Sequence, residues 1–77
     1  MKKIFVGGID LGVTQEELKE FFEQYGGVKD CIIMKNMNTN QSRGFGFVTF
    51  EEDNIVDQLV KENNFVIHGK KVDVKKA

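Results

Sequence analysis

Arg43-Gly44-Phe45-Gly46-Phe47-Val48-Thr49-Phe50 packs three phenylalanines, two glycines and one arginine into eight residues. In a strand, alternate side chains point to opposite faces. Arg43, Phe45, Phe47 and Thr49 then share one face, and Gly44, Gly46, Val48 and Phe50 share the other. Val48 and Phe50 suit a core. A half-buried strand normally alternates apolar and polar residues, yet here both faces are apolar or aromatic. Two readings are open at this point. The strand is covered on both sides, with Phe45 and Phe47 buried, or it is a flat platform on which planar rings of a ligand stack. The glycines favour the platform, because on the core face they leave room for close packing of a helix.

Upstream of this stretch, the seven residues Asn36 to Ser42 read as a hairpin loop. Before the loop, residues 28–35 read as a strand with Cys31 and Ile33 on one face and Ile32 and Met34 on the other. At the start of the chain, residues 3–8 read as another strand, with Ile4 and Val6 toward the core and Phe5 on the opposite face beside Lys3. Between them, Thr14-Gln15-Glu16-Glu17 has the form of a capping box, with Val13 and Leu18 as its hydrophobic staple. Leu18, Phe21, Phe22 and Tyr25 recur at helical spacing, predicting an aromatic core stripe, and Gly26-Gly27 stops the helix.

Downstream, a second helix over about 53–63 carries Ile55, Val56, Leu59 and Val60 as its apolar stripe. His68-Gly69 reads as a two-residue hairpin turn between Val66-Ile67 and Lys70-Lys71-Val72, so His68 is assigned to a turn rather than to catalysis. On the last strand Val72 and Val74 face the core, while Asp73 and Lys75 share the other face.

Seventy-seven residues, 40% of them apolar, make one small domain over 1–77. One cysteine and one histidine exclude an internal disulfide and a multi-cysteine or two-histidine metal site. No cofactor or metal is expected. Met1-Lys2-Lys3 precedes only three apolar residues before Gly7, so no signal peptide is expected. No apolar run approaches the roughly 18 residues of a membrane span. An intracellular location is expected, nuclear or cytoplasmic. The net charge is −1, but it is unevenly spread. Residues 14–25 and 51–62 hold nine acids against two lysines, and the rest of the chain holds nine bases against three acids. The helices are therefore acidic and the strands and their ends basic.

The order strand–helix–strand–strand–helix–strand is the ferredoxin-like, α+β arrangement. Two helices would pack on one face of a four-stranded antiparallel sheet, with the first and third strands central. Phe5, Phe45 and Phe47 then lie on adjacent strands, on the face left open, which resolves the opening ambiguity in favour of the platform.

Ile4-Phe5-Val6-Gly7-Gly8-Ile9 resembles the hexamer motif of the RNA recognition motif family, and Arg43 to Phe50 resembles its octamer at every position. More narrowly, IFVGGI, SRGFGFVTF and Cys31-Ile32-Ile33-Met34 are similar to the Musashi and heterogeneous nuclear ribonucleoprotein A/B and D subgroup. One departure is that the loop before the octamer holds no base between Lys35 and Arg43. The resemblance implies a single-stranded RNA-binding module, with a suggested preference for short motifs containing UAG and a role in mRNA processing or post-transcriptional regulation. It implies that Phe5 and Phe47 stack bases and Phe45 packs against sugar. Lys3 and Arg43 would reach phosphate or a base edge. Met34 with Ile32, and Asp73 with Lys75, would extend the surface on the two flanking strands. The chain also resembles a monomeric domain excised from a longer protein with neighbouring domains.

Other function classes have weaker support. An acylphosphatase-like enzyme would need an arginine in the loop after the first strand, where this chain has Ile9-Asp10-Leu11-Gly12. No catalytic residue is expected. A protein-binding variant would have lost or covered the platform aromatics, and all three are present. Single-stranded DNA remains an alternative ligand, because stacking does not need the 2′-OH.

Overall fold

The computed structural model describes residues 2–77. β1 (Lys3–Gly7) is followed by α1 (Gln15–Glu23), β2 (Val28–Lys35), β3 (Ser42–Phe50), α2 (Asp53–Glu62), β4 (Phe65–Ile67) and β5 (Lys70–Lys76). The strands form one antiparallel sheet in the order β2-β3-β1-β5-β4. β1 and β3 are therefore adjacent, with β1 in the middle. This is the expected ferredoxin-like α+β fold with one correction, since the sheet has five strands rather than four. The added strand is the three-residue β4, folded back on β5 through His68 and Gly69. Both turn residues have positive φ, 53° and 73°, as the right-handed twist of a tight hairpin demands.

The capping box forms as the sequence predicts. Thr14 Oγ1 accepts from the Glu17 amide, and Glu17 Oε1 accepts from the Thr14 amide. Val13 and Leu18, the staple pair, are buried. The other end of α1 differs from expectation. The helix ends at Glu23, and the Tyr25 amide donates to the Phe22 carbonyl in a tightened last turn. Gly26 and Gly27 do not take the left-handed conformation that ends many helices. Gly26 instead leaves space that the Ile55 side chain of α2 fills. Tyr25 is not core. It lies beyond the helix, 38% exposed, with its ring 5.3 Å from Phe65.

The core lies between the helices and one face of the sheet. Ile4, Val6, Val48, Phe50, Val72 and Val74 from the central strands meet Leu18 and Phe22 of α1 and Ile55, Val56 and Leu59 of α2. Phe22 stands edge-on to Phe50, centroids 6.2 Å apart. α2 ends on Asn63 in the left-handed conformation. The Asn63 side chain then closes the outer edge of β5, accepting from the Val74 amide at 2.8 Å and donating to Asp73 at 3.1 Å.

The glycines of β3 do not make room for a helix, as the sequence had suggested. A Cβ on Gly46 would run into the Ile32 carbonyl oxygen and the Ile33 Cα of β2, so a side chain there would push the two strands apart. Gly44 has φ +82° and lies where the β2–β3 register shifts. That conformation costs glycine little and other residues more. The Gly44 carbonyl also accepts from the Ile9 amide at 2.8 Å, pinning the β1–α1 loop to β3.

Candidate nucleic-acid interface

The face of the sheet turned away from the helices is organised by register. Phe5 of β1 lies opposite Phe47 of β3 on one side and Lys75 of β5 on the other. Ile32 of β2 continues that row beyond Phe47. In the next row Gly7 lies between Phe45 and Asp73. The three rings form one cluster. Phe5 is 5.6 Å from Phe45 and 5.8 Å from Phe47, centroid to centroid, and Phe45 stands edge-on to Phe47 at 6.4 Å. All three are half-buried, against one another and the sheet, with the remaining ring surface in solvent. A tilted, mutually supported set of rings fixes their orientation without covering them.

Two cations lie on this cluster. Lys3 Nζ is 4.7 Å from the Phe47 centroid, and the Arg43 guanidinium carbon is 5.0 Å from that of Phe45. Each is attracted by the negative face of the ring, worth about 0.5–1 kcal/mol at an exposed site. At the β5 edge, Lys75 Nζ approaches Asp73 at 3.3 Å, and Asn63 donates to the same carboxylate. The Asn63 hydrogen bond first, and Lys75 second, hold the Asp73 carboxyl below its usual range. At the β2 edge, Ile32 is exposed and Met34 half-buried.

All eight site residues taken from the sequence therefore share this face: Lys3, Phe5, Met34, Arg43, Phe45, Phe47, Asp73 and Lys75. Sequence reasoning missed Asn63, which ties down Asp73. Asparagine just past an apolar helical stripe signals a left-handed cap, but nothing local tells that its amide reaches β5, ten residues on.

The one histidine and the one cysteine are engaged away from this face. His68 Nε2 is 2.7 Å from Glu17 Oε2, so the β4–β5 turn is tied to the capping box of α1. The Thr14 amide first, and His68 second, hold the Glu17 carboxyl below its usual range. Cys31 is buried, and burial, with Asp30 nearby, pushes its thiol up to about 11. A thiol so poorly ionised is a weak nucleophile. Among the described residues, no three His, Cys, Asp or Glu side chains converge as a metal site.

The comparisons with known proteins agree with this architecture. The family model described as RNA recognition motif matches residues 4–73. The chain belongs to the RNA recognition motif family. DAZ-associated protein 1 of Xenopus laevis is 49% identical over 73 residues, 95% of this chain and 20% of that protein. The RNA-binding protein Musashi homolog 1 of Caenorhabditis elegans is 43% identical over 76 residues, 99% of this chain and 24% of that protein. Proteins of the expected Musashi and heterogeneous nuclear ribonucleoprotein kind are thus among the relatives. The RNA-binding domain of Hrp1, solved in complex with RNA, superposes with a TM-score of 0.88 at 44% identity, covering 97% of this chain and 44% of that one. The chain spans about a fifth of the length of the curated relatives it matches first.

Proposed function

We propose that this domain binds single-stranded RNA by stacking bases on Phe5 and Phe47, with Phe45 against sugar. What carries the reading is the cluster of three solvent-facing rings on the uncovered sheet face, with Lys3 and Arg43 resting on it. Unpaired bases offer planar rings to such a surface, and each stacked base gains about 1–3 kcal/mol. Sheets of this family use their aromatics for two or three bases. Lys3 and Arg43 leave the ring faces when bases arrive and turn to phosphate or a base edge. Ile32 and Met34 add apolar contact on one flank, and Lys75 with Asp73 adds polar contact on the other.

The kinship with Musashi proteins supports a preference for short motifs containing UAG and a role in mRNA processing or post-transcriptional regulation. The absence of an arginine from the β1–α1 loop supports a binding module rather than a phosphate-cleaving enzyme. The test is a titration with a short single strand containing UAG, its scrambled counterpart, the matched DNA and the RNA duplex. Tightest binding to the UAG strand is expected. With about 2–4 phosphate contacts, log K should fall against log salt with a slope of roughly −1.5 to −3. Equal affinity for the duplex, or a slope steeper than about −5, would place the binding surface elsewhere.

A further inference from the structure

Among the eight residues gathered on the open face, Asp73 is the only acid. A carboxylate there repels the phosphates of any strand, whatever its sequence. The fold nonetheless holds this one in a fixed place from behind. β4 pairs with β5 only as far as Phe65 opposite Val72. Beyond that point Asn63 takes the place of a strand, its side-chain oxygen accepting from the Val74 amide at 2.8 Å. That bond fixes which way the Asn63 amide faces, so its nitrogen is turned to Asp73 Oδ1, 3.1 Å away. The backbone of Asn63 is left-handed, φ 38°, and its own amide donates to the Leu59 carbonyl at the end of α2. Asp73 is thus anchored through Asn63 to the helix layer.

The other side of Asp73 faces the rings. Gly7 lies opposite it on β1 and has no side chain. The Phe5 ring leans into that space, where a Cβ on Gly7 would stand 2.9 Å from the ring edge. A base stacked on Phe5 therefore has the Asp73 carboxylate at its rim on the β5 side. Asn63 first, and Lys75 second, favour the ionised form of Asp73, which accepts hydrogen bonds and donates none. Asn63 uses one lone pair of Oδ1, and Lys75 Nζ lies 3.3 Å from Oδ2. A carboxylate has about four such sites, so each oxygen keeps one for a ligand. The Lys75 contact is exposed and yields easily.

The bases of RNA differ in what they offer such a pair of acceptors. On its Watson–Crick edge, guanine presents two adjacent donors, the N1–H and the N2 amino group. Adenine and cytosine offer one amino group beside a bare ring nitrogen, and uracil one N–H between two carbonyls. In a single strand these edges are free to be read. We propose that Asp73 selects a guanine stacked on Phe5, one oxygen to each donor, and that Asn63 is the positioning residue that aims the carboxylate. The inference rests on the reading of the sheet face as an RNA platform and names one base that the platform selects.

The test is titration of the 77-residue chain with a short UAG strand carrying one guanine and with the same strand carrying inosine there. Inosine keeps the N1–H and lacks the N2 amino group. The parent should bind the guanine strand about tenfold more tightly. That ratio should fall below about twofold in Asp73→Asn, which turns one acceptor into a donor, and in Asn63→Asp. Asn63→Asp keeps the oxygen that the Val74 amide needs and sets a second carboxylate against Asp73, so a purely structural Asn63 would leave the ratio intact. Thermal melts check that both variants fold. Should Asn63→Asp not fold, Asn63→Gly, which suits the left-handed cap, takes its place. Phe5→Ala separates this inference from the reading beneath it. If Phe5→Ala alters binding of neither strand, stacking on the sheet is itself refuted. The selection by Asp73 alone is overturned if Phe5→Ala weakens binding while the parent's ratio lies near one, if adenine in place of guanine binds as tightly, or if either variant keeps the parent's ratio.

Discussion

On the helix side of β3, Val48 and Phe50 are wholly buried. On the other side of the same strand, Phe45 and Phe47 keep part of their rings in solvent. Phe47 and Phe50 are the same residue type on the same strand. What differs is what lies across from each side chain. Phe50 meets Phe22 of α1, whereas Phe47 meets its sheet-face neighbours Phe5 and Phe45 and the ammonium of Lys3. Two helices can cover only one face of this sheet, so aromatic character on the second face is surplus to folding. Burial turns a phenylalanine into stability; exposure leaves the same ring available to a ligand.

The contrast can be broken from the buried side first. Phe50→Ala should cost about 3–5 kcal/mol, the usual price of emptying a well-packed aromatic site. In a domain of about 5–10 kcal/mol total stability, that removes roughly a third to all of it, and chemical denaturation should show the unfolding midpoint lowered in proportion. A loss below about 1 kcal/mol would mean that the helices do not close over Phe50.

A smaller loss is expected where the two faces share a backbone constraint. Gly46→Ala sets a methyl against the Ile32 carbonyl and Ile33 Cα of β2, and overpacking of this kind costs about 1–3 kcal/mol. Because the strain separates β2 from β3, Ile32 and Met34 should also lose their place beside the rings. A fall in melting temperature accompanied by weaker RNA binding is the expected pattern, and an unchanged melt would show that β2 yields easily.

On the exposed side the effects move from stability to affinity. Met34→Ala should leave the melt near that of the parent and weaken RNA binding by about 1 kcal/mol or less, as expected for part of one apolar side chain. Unchanged affinity in a titration would restrict Met34 to packing at the sheet edge.

Much of this arrangement was legible in the sequence because it is local. The alternation in Arg43 to Phe50, the Thr14–Glu17 capping box and the His68-Gly69 turn are each set by residues within a few positions of one another. The shared face of the candidate residues was readable for a related reason, since period-two alternation on β1 and β3 assigns faces without knowledge of the packing. What was missed depends on distant partners. Tyr25 continues the helical spacing of Phe21 and Phe22, but α1 ends two residues earlier and leaves its ring half outside. Gly26 looks like a helix stop, and its real constraint is Ile55, nearly thirty residues away. β4 is a different case: it flanks the legible His68-Gly69 turn, and the count of four strands left out only its three residues, paired with β5.

The measurement closest to the central claim is Phe47→Ala examined by thermal melt and by RNA titration on the same sample. Phe47 is half-buried, so removing its ring should cost the free domain about 1 kcal/mol, far less than Phe50→Ala. Binding should fall by about 1–3 kcal/mol, roughly 5- to 150-fold, because a base loses its stacking partner. A variant that melts as early as Phe50→Ala, or one that binds RNA as the parent does, would contradict the account of an open aromatic face that serves the ligand rather than the fold.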